Sequence, residues 1–298
     1  MLLAEVEART GRPVAECFDL IAGTSTGAIL ALGLAKPGAD GEPEYSARDL
    51  VGLYEREGAR IFSRSVWHRV RSVGGAADEK YLSEAIDGVL DEYFGHAMLS
   101  ESLTDVLVPA YELVMRDAFF FKSRKAKVDR DYDFRLRDVA RATSAAPTYF
   151  EPVQLATSAA IGTYTLVDGG VFANNPAMCA WTEASSGGTP ADALLLSLGT
   201  GELTRPMPWE EVRDWGLLDW ARPILNVVMD GVSDATDHQL LELLGAARYL
   251  RLTTTLEIGS DDLDDAAATN IHALKAQAQR IIDKRSGELD ALCARLVR

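Results

Sequence analysis

A chain of 298 residues, 47% of them apolar, is long enough for one large α/β domain or two small ones with a substantial core. Its 45 acidic residues against 30 basic give a formal net charge of −15, which repels a nucleic-acid backbone or an anionic membrane surface, so no nucleic-acid partner is expected and any lipid contact must be local and apolar. Cys17, Cys179 and Cys293 are odd in number, far apart and without metal-ligand spacing, which argues against a disulfide framework or a zinc site and for a reducing compartment.

The opening "MLLAEVEARTGR" carries Glu5 and Glu7 where a secretory leader needs an unbroken apolar stretch, so no cleaved leader is expected. Residues 2–9 read as a helix with Leu2, Leu3 and Val6 on one face, broken by "TGRP". Residues 18–22 read as a short buried strand, "AGTSTGA" as a glycine turn, and residues 28–35 as a helix with Ile29, Leu32 and Leu34 apolar, closed by "KPGADGEP". This is the most apolar part of the chain, and it is too interrupted for the roughly 20 apolar residues of a bilayer span. A soluble, cytoplasmic protein is expected.

Residues 46–100 look helical and of mixed polarity, with "SVGGAADEK" as a flexible interruption, so a mobile helical cover over a pocket is expected within residues 40–100. Next, "DVLVPAYEL" and "AFFFKS" read as strands, and residues 136–146 as a helix ended by Pro147. "YTLVD" at 164–168 is a strand, and "NNPAMCAWTEA" starts a helix with Asn175 as N-cap and Pro176 at the first helical position. "ALLLSLGTG" at 193–201 is a further buried strand, and the rest is mostly helical, including residues 266–283 with Ile271, Leu274, Ala278 and Ile281 in one stripe. Strands alternating with helices predict an α/β fold with a largely parallel sheet covered on both faces.

The glycine turn places Ser25 between Gly23 and Gly27, with Thr24 and Thr26 as its neighbours. A serine hydroxyl is a weak nucleophile that needs a base and donors for the oxyanion. In a strand-to-helix elbow the serine is forced into a strained conformation, small residues two before and two after it let strand and helix approach, and the helix beginning near Thr26 aims free N–H groups at the reacting oxygen. The G-x-S-x-G pattern arises by chance in roughly one chain in ten of this length, so the flanking strand and helix carry the reading. The alternative is an ordinary helix cap.

Four histidines, His68, His96, His238 and His272, are candidates for the base, and the order Ser25, Asp168, His238 matches an α/β-hydrolase triad. That fold needs several strands before its elbow, whereas Ser25 follows one, and no histidine has a glycine-rich or strand-end context. Asp168 ends an apolar strand and is followed by Gly169 and Gly170, so its carboxylate should emerge at the carboxyl edge of the sheet with Ser25. A plain Asp-Gly-Gly turn is the bland alternative.

With both residues in place the chain resembles the patatin-like phospholipase family, in its bacterial form. "FDLIAGTSTGAILAL" is similar to the family's nucleophile elbow, "ATSAAPTYFEP" to its mid-domain segment, "LVDGGVFANNPA" to its Asp-Gly-Gly motif with the following capped helix, and "LLLSLGTG" to a later strand. "DWARPILNVVMDGVSDATDHQL" and "AAATNIHALKAQAQRII" are similar to the carboxyl-terminal parts of bacterial members, so the resemblance runs nearly end to end.

The resemblance implies a single domain over residues 1–298 with a three-layer α/β/α fold and a mostly parallel central sheet, and a Ser25/Asp168 dyad acting without histidine, metal or cofactor on lipid or other acyl esters, with transient contact to a membrane or micelle surface. It also implies a gap. The family's glycine-rich oxyanion loop, with its arginine, precedes the helix ahead of the elbow strand, and "MLLAEVEAR" corresponds to that helix. An N-terminal strand and oxyanion loop are therefore expected to be missing, with an open edge beside the 18–22 strand and lowered activity. This motivates a second expectation, a catalytically impaired lipid-binding or scaffold protein; a Ser-His-Asp esterase is the third.

Overall fold

A computed structural model describes residues 1–297 apart from 62–82, 158–161, 189–191, 202–205, 221–222 and 261–264. In chain order the elements are α1 (Leu2–Thr10), α2 (Val14–Cys17), β1 (Leu20–Ala22), α3 (Thr26–Ala35), α4 (Ala47–Ile61), α5 (Ser83–Phe94), β2 (Asp105–Glu112), β3 (Asp117–Lys122), α6 (Ser123–Ala126), α7 (Leu136–Thr143), β4 (Val153–Ala156) and β5 (Thr163–Asp168). There follow α8 (Gly170–Ala173), α9 (Ala177–Ala184), β6 (Leu195–Leu198), α10 (Trp209–Val212), α11 (Leu217–Trp220), α12 (Pro223–Leu244), β7 (Tyr249–Leu252), α13 (Ala268–Lys284) and α14 (Ser286–Leu296).

Local chemistry accounts for most boundaries. Helix α1 stops at Gly11, whose φ of 66° lets its N–H turn back to the Glu7 carbonyl, a glycine C-cap. Helix α3 buries Ala28, Ile29, Ala31, Leu32, Leu34 and Ala35 on all sides rather than along one stripe, as a helix apolar all round must. Helix α7 ends at Thr143, three residues before the expected end. The chain leaves it there because the Ala145 carbonyl accepts the Asp168 N–H at 3.0 Å and Pro147 disfavours a helical residue before it. Strands β4 and β7 are too short to show a period, and pairing with β5 and β6 makes them strands.

The fold is three-layered α/β/α. Helices α3, α4, α5 and α7 share the largest apolar cluster with β2 and β3, while α8 packs on β2 and α9 on β1. The expectation of a mostly parallel central sheet needs correction. Strand β1 runs parallel to β2, but β2 is antiparallel to both β3 and β5, and β5 is antiparallel to β4; β6 and β7 form a separate parallel pair. The reason lies in the turn from Leu113 to Arg116. Arg116 sits at φ 57°, and the buried Glu112 carboxylate accepts the N–H groups of Met115 at 2.5 Å and Thr165 at 3.0 Å, folding β3 back along β2 and tying in β5.

Strand β3 occupies one edge of β2 from Leu107 to Glu112, so β1, at Asp105 to Leu107, and β5, at Ala110 to Glu112, share the other. Among the described residues β1 pairs with β2 alone. At the two ends of the stretch expected to form a cover, α4 and α5 place Leu50, Leu53, Ile86, Val89, Leu90 and Phe94 in the main core. The "SVGGAADEK" segment between them lies outside the described residues. On α13, Ile281 is buried and Ile271, Leu274 and Ala278 are half-buried, while the buried Asn270 accepts the Ser260 N–H at 2.7 Å and pins the preceding loop. Among the described residues no helix is long and apolar enough to cross a membrane.

Candidate active site

Pro109 stands in the middle of β2, where a missing N–H would normally break a ladder. It is tolerated because it faces a gap. The Gly23 N–H donates to Leu107 O at 3.2 Å, so alternate residues 107, 109 and 111 point their N–H and C=O toward the edge shared by β1 and β5. Strand β1 leaves that edge after Ala22, opposite Leu107, and β5 ends with Asp168 opposite Ala110. The two carboxyl ends therefore meet head to head across three residues of β2, 107 to 110, or about 10 Å.

Sequence reasoning placed Asp168 beside Ser25 on one carboxyl edge of a parallel sheet. The structure brings the two together from opposite directions instead, because β5 runs antiparallel to β2 while β1 runs parallel to it. Gly169 makes the approach possible: a Cβ there would lie 2.3 Å from the Pro109 carbonyl oxygen.

Ser25 is at the N-cap position of α3, yet its side chain makes no capping hydrogen bond, and its φ of 54° and ψ of −124° lie outside the extended conformation of a capping serine. A non-glycine residue in this region is strained by about 1–3 kcal/mol and is held there by its surroundings. Its N–H donates to Thr143 Oγ1 at 3.0 Å, and Thr143 in turn donates to Pro109 O at 2.6 Å. Thr24 donates to Ala173 O at 2.7 Å, fastening the elbow to α8, and the Tyr54 hydroxyl donates to Thr26 O at 3.0 Å.

Gly23 is required at the elbow, since its Cβ would stand 2.2 Å from Gly27 O and 2.6 Å from Ala28 N. Gly27 behaves differently from the sequence-based expectation, because a Cβ there meets nothing within 4 Å. The approach of strand to helix is thus carried by Gly23 against the backbone of the first helical turn. Gly23→Ala should therefore lose more than about 3 kcal/mol of stability or fail to fold. Gly27→Ala should be neutral or gain up to about 1 kcal/mol from helix propensity. Urea unfolding of the two variants checks this, and equal losses in both would contradict it.

Asp168 is 2% exposed, and its Oδ1 accepts the Gly170 N–H at 2.7 Å. Burial pushes its carboxyl up to about 6; hydrogen bonds from the Ser25 hydroxyl and the Gly170 N–H pull in the opposite direction. The elbow thus brings the hydroxyl of a strained serine to a buried carboxylate that is half-ionised slightly below neutrality. Asn175 does not take the expected N-cap position with Pro176 as the first helical residue: α9 starts at Ala177 with Pro176 at the N-cap. Asn175 accepts the Ala177 N–H at 3.2 Å from one residue further out, and a turn of helix, α8, intervenes between Gly169 and it.

His96, His238 and His272 are exposed, so among the described residues no histidine joins the pair; His68 lies outside them. Nor do the described residues contain a cluster of His, Cys, Asp or Glu able to hold a metal ion. Of the first N–H groups at the elbow, Ser25 donates to Thr143 and Gly27 to Thr24 O, leaving that of Thr26 without a partner among the described residues. Sequence reasoning missed Thr143 and Pro109. A proline inside an otherwise regular strand was the signal for the second, and the first stood within the quoted "ATSAAPTYFEP".

A family model described as Patatin-like phospholipase matches residues 3–181. Patatin-like protein 4 of Arabidopsis thaliana is 30% identical over 308 residues, covering 94% of this chain and 77% of the relative. "Probable inactive patatin-3-Kuras 1" of Solanum tuberosum is 31% identical over 310 residues, covering 96% and 81%. Patatin-like protein 2 of Arabidopsis thaliana is 32% identical over 306 residues, covering 91% and 74%.

Proposed function

Because the chain belongs to the patatin-like phospholipase family, a family of lipid acyl hydrolases, we propose that it cleaves lipid esters through an acyl-enzyme on Ser25, with Asp168 as the only side-chain base. The observation that carries this reading is the strained Ser25, uncapped at φ 54°, with its hydroxyl close enough to a buried carboxylate to pull that group's pKa down.

In the proposed cycle the Asp168 carboxylate takes the Ser25 proton as Oγ attacks the ester carbonyl. Collapse of the tetrahedral intermediate expels the alcohol, which leaves with the proton from Asp168. Water then attacks the acyl-enzyme and gives a proton to Asp168, and breakdown of the second intermediate returns a proton to Ser25 and releases the fatty acid. An ordinary aspartate would be a weak base for this task, and its rise to about 6 narrows the gap. The N–H of Thr26 at the positive end of α3 is the elbow's donor to the oxyanion.

The pH profile tests the base. Asp168 must be ionised to act, so kcat/KM for a soluble p-nitrophenyl ester should fall tenfold per pH unit below a midpoint of about 6 and be flat above it. A profile that stays level down to pH 4.5 would place the base elsewhere. His96→Ala, His238→Ala and His272→Ala should each leave the rate within about twofold, and a large loss in one of them, with folding intact, would favour a triad enzyme.

A second reading has its own observation. Loss of one oxyanion donor typically costs about 10²–10³ in rate, and Thr26 supplies a single free N–H at the elbow while Ser25 N–H is committed to Thr143. A chain that forms the acyl-enzyme but turns over slowly, and works mainly by binding lipid, would show stoichiometric acylation of Ser25 with little steady-state hydrolysis. The free cysteines Cys17, Cys179 and Cys293 suit a reducing compartment such as the cytoplasm.

A further inference from the structure

Helix α12 buries one face and, in its first turns, exposes apolar side chains on the opposite one. Ser233, Thr236, Leu240 and Leu244 form its buried seam. Met229 extends that seam toward the dyad: its Cε and Asp168 Oδ1 lie 3.3 and 3.1 Å from the point where a Gly170 Cβ would be. On the far side of the first turns, Ile224, Val227 and Val228, at the i, i+3, i+4 spacing of one helix face, stand in solvent at 37–45% exposure. A surface helix normally turns polar residues outward there. Helix α11 packs against α12 and adds Leu217, 87% exposed, and Trp220, whose ring meets that of Trp215 edge-on at 5.1 Å. Trp209 on α10 is 70% exposed.

Two features decide what fits this face. Three of the chain's five tryptophans, Trp209, Trp215 and Trp220, fall within twelve residues of it, and tryptophan, apolar with one polar edge, favours the boundary between headgroups and acyl chains. Among the described residues of that stretch, Glu210, Glu211, Asp214, Asp219 and Asp230 outnumber Arg213. That balance, within a chain of net charge −15, repels anionic headgroups and accepts neutral or zwitterionic ones.

We infer that the exposed face of α11 and α12, with Trp209, is the surface by which this protein docks on a zwitterionic phospholipid layer, next to the dyad through Met229. The inference rests on the lipid-ester reading of Ser25 and Asp168 and names the form in which that substrate is met.

The test uses the full chain and vesicles of dioleoyl phosphatidylcholine. Wild type should co-sediment with them, and the triple substitution Leu217→Gln, Ile224→Gln and Val228→Gln should weaken that binding at least tenfold. It should also lower turnover of vesicle lipid relative to a soluble p-nitrophenyl ester by at least tenfold. The equally apolar but separate turn between β2 and β3, changed by Val114→Gln and Met115→Gln, serves as control and should leave binding within twofold. Brominated acyl chains should quench wild-type tryptophan emission, and Trp209→Phe with Trp220→Phe should remove most of that quenching; this reading does not depend on the triple variant folding.

Absence of vesicle binding by wild type, or equal binding by wild type and the triple variant, would overturn the inference. So would tighter binding when phosphatidylglycerol is added, or equal weakening by the control. A concentration-dependent dimer that the triple substitution dissolves, without vesicle binding, would assign the face to a second copy instead. Failure of the catalytic reading would look different: binding intact, with no turnover of either substrate.

Discussion

Ser25→Ala should lower ester hydrolysis by on the order of 10⁴-fold or more, because it removes the atom proposed to form the acyl-enzyme. Ser25→Gly should be equally inactive and, unlike alanine, more stable than wild type by about 1 kcal/mol or more. The serine is held at φ 54°, where a side chain is strained and glycine is not. Its hydroxyl makes no capping hydrogen bond, and the loss of its interaction with Asp168 is least costly where that carboxyl is protonated, so the gain is read below a pH of about 6. Thermal unfolding of the two variants beside wild type measures this, and a destabilised Ser25→Gly would show that the elbow is not under strain.

Asp168→Asn should be nearly as damaging to activity while making the protein more stable at alkaline pH. The carboxyl lies at about 6 in the fold against an ordinary 3.8, because burial favours its neutral form. A group raised in this way contributes stability that is fully present below 3.8 and is lost as pH rises through about 6. At pH 8 the ionised, buried carboxylate therefore carries a penalty on the order of 3 kcal/mol, from the interval between 3.8 and about 6 at 1.36 kcal/mol per pH unit. The amide is never charged and keeps an oxygen for the Gly170 N–H. The variant should thus exceed wild type in stability by up to that amount at pH 8, with the difference closing as pH falls toward 4. A variant less stable than wild type at pH 8 would mean that the charged form of Asp168 is stabilised by the fold.

Much of this site was legible because it is local. "AGTSTGA" between an apolar strand and an apolar helix specifies its own turn, and "LVDGG" specifies a carboxylate at a strand end followed by residues without side chains. What the sequence concealed is how the two ends are brought together. Strand direction depends on the pairing of β2 with β3 and β5, which the Glu112 carboxylate organises across residues far apart in the chain. Thr143 was hidden for the same reason, since its role is to join Ser25 N–H to Pro109 O, partners 118 and 34 residues away. The equivalence assumed for Gly23 and Gly27 failed because spacing reports position, whereas only packing reports whether a Cβ has room.

Covalent labelling tests the central claim most directly. Incubated at pH 8 with a serine-directed fluorophosphonate and analysed by intact mass and peptide mapping, the wild-type chain should gain one adduct, on the peptide that carries Ser25. Labelling should slow tenfold per pH unit below about 6 as Asp168 takes up its proton, and both Ser25→Ala and Asp168→Asn should remain unlabelled on the same timescale. An adduct on another serine, or labelling of Asp168→Asn at the wild-type rate, would contradict the Ser25/Asp168 dyad.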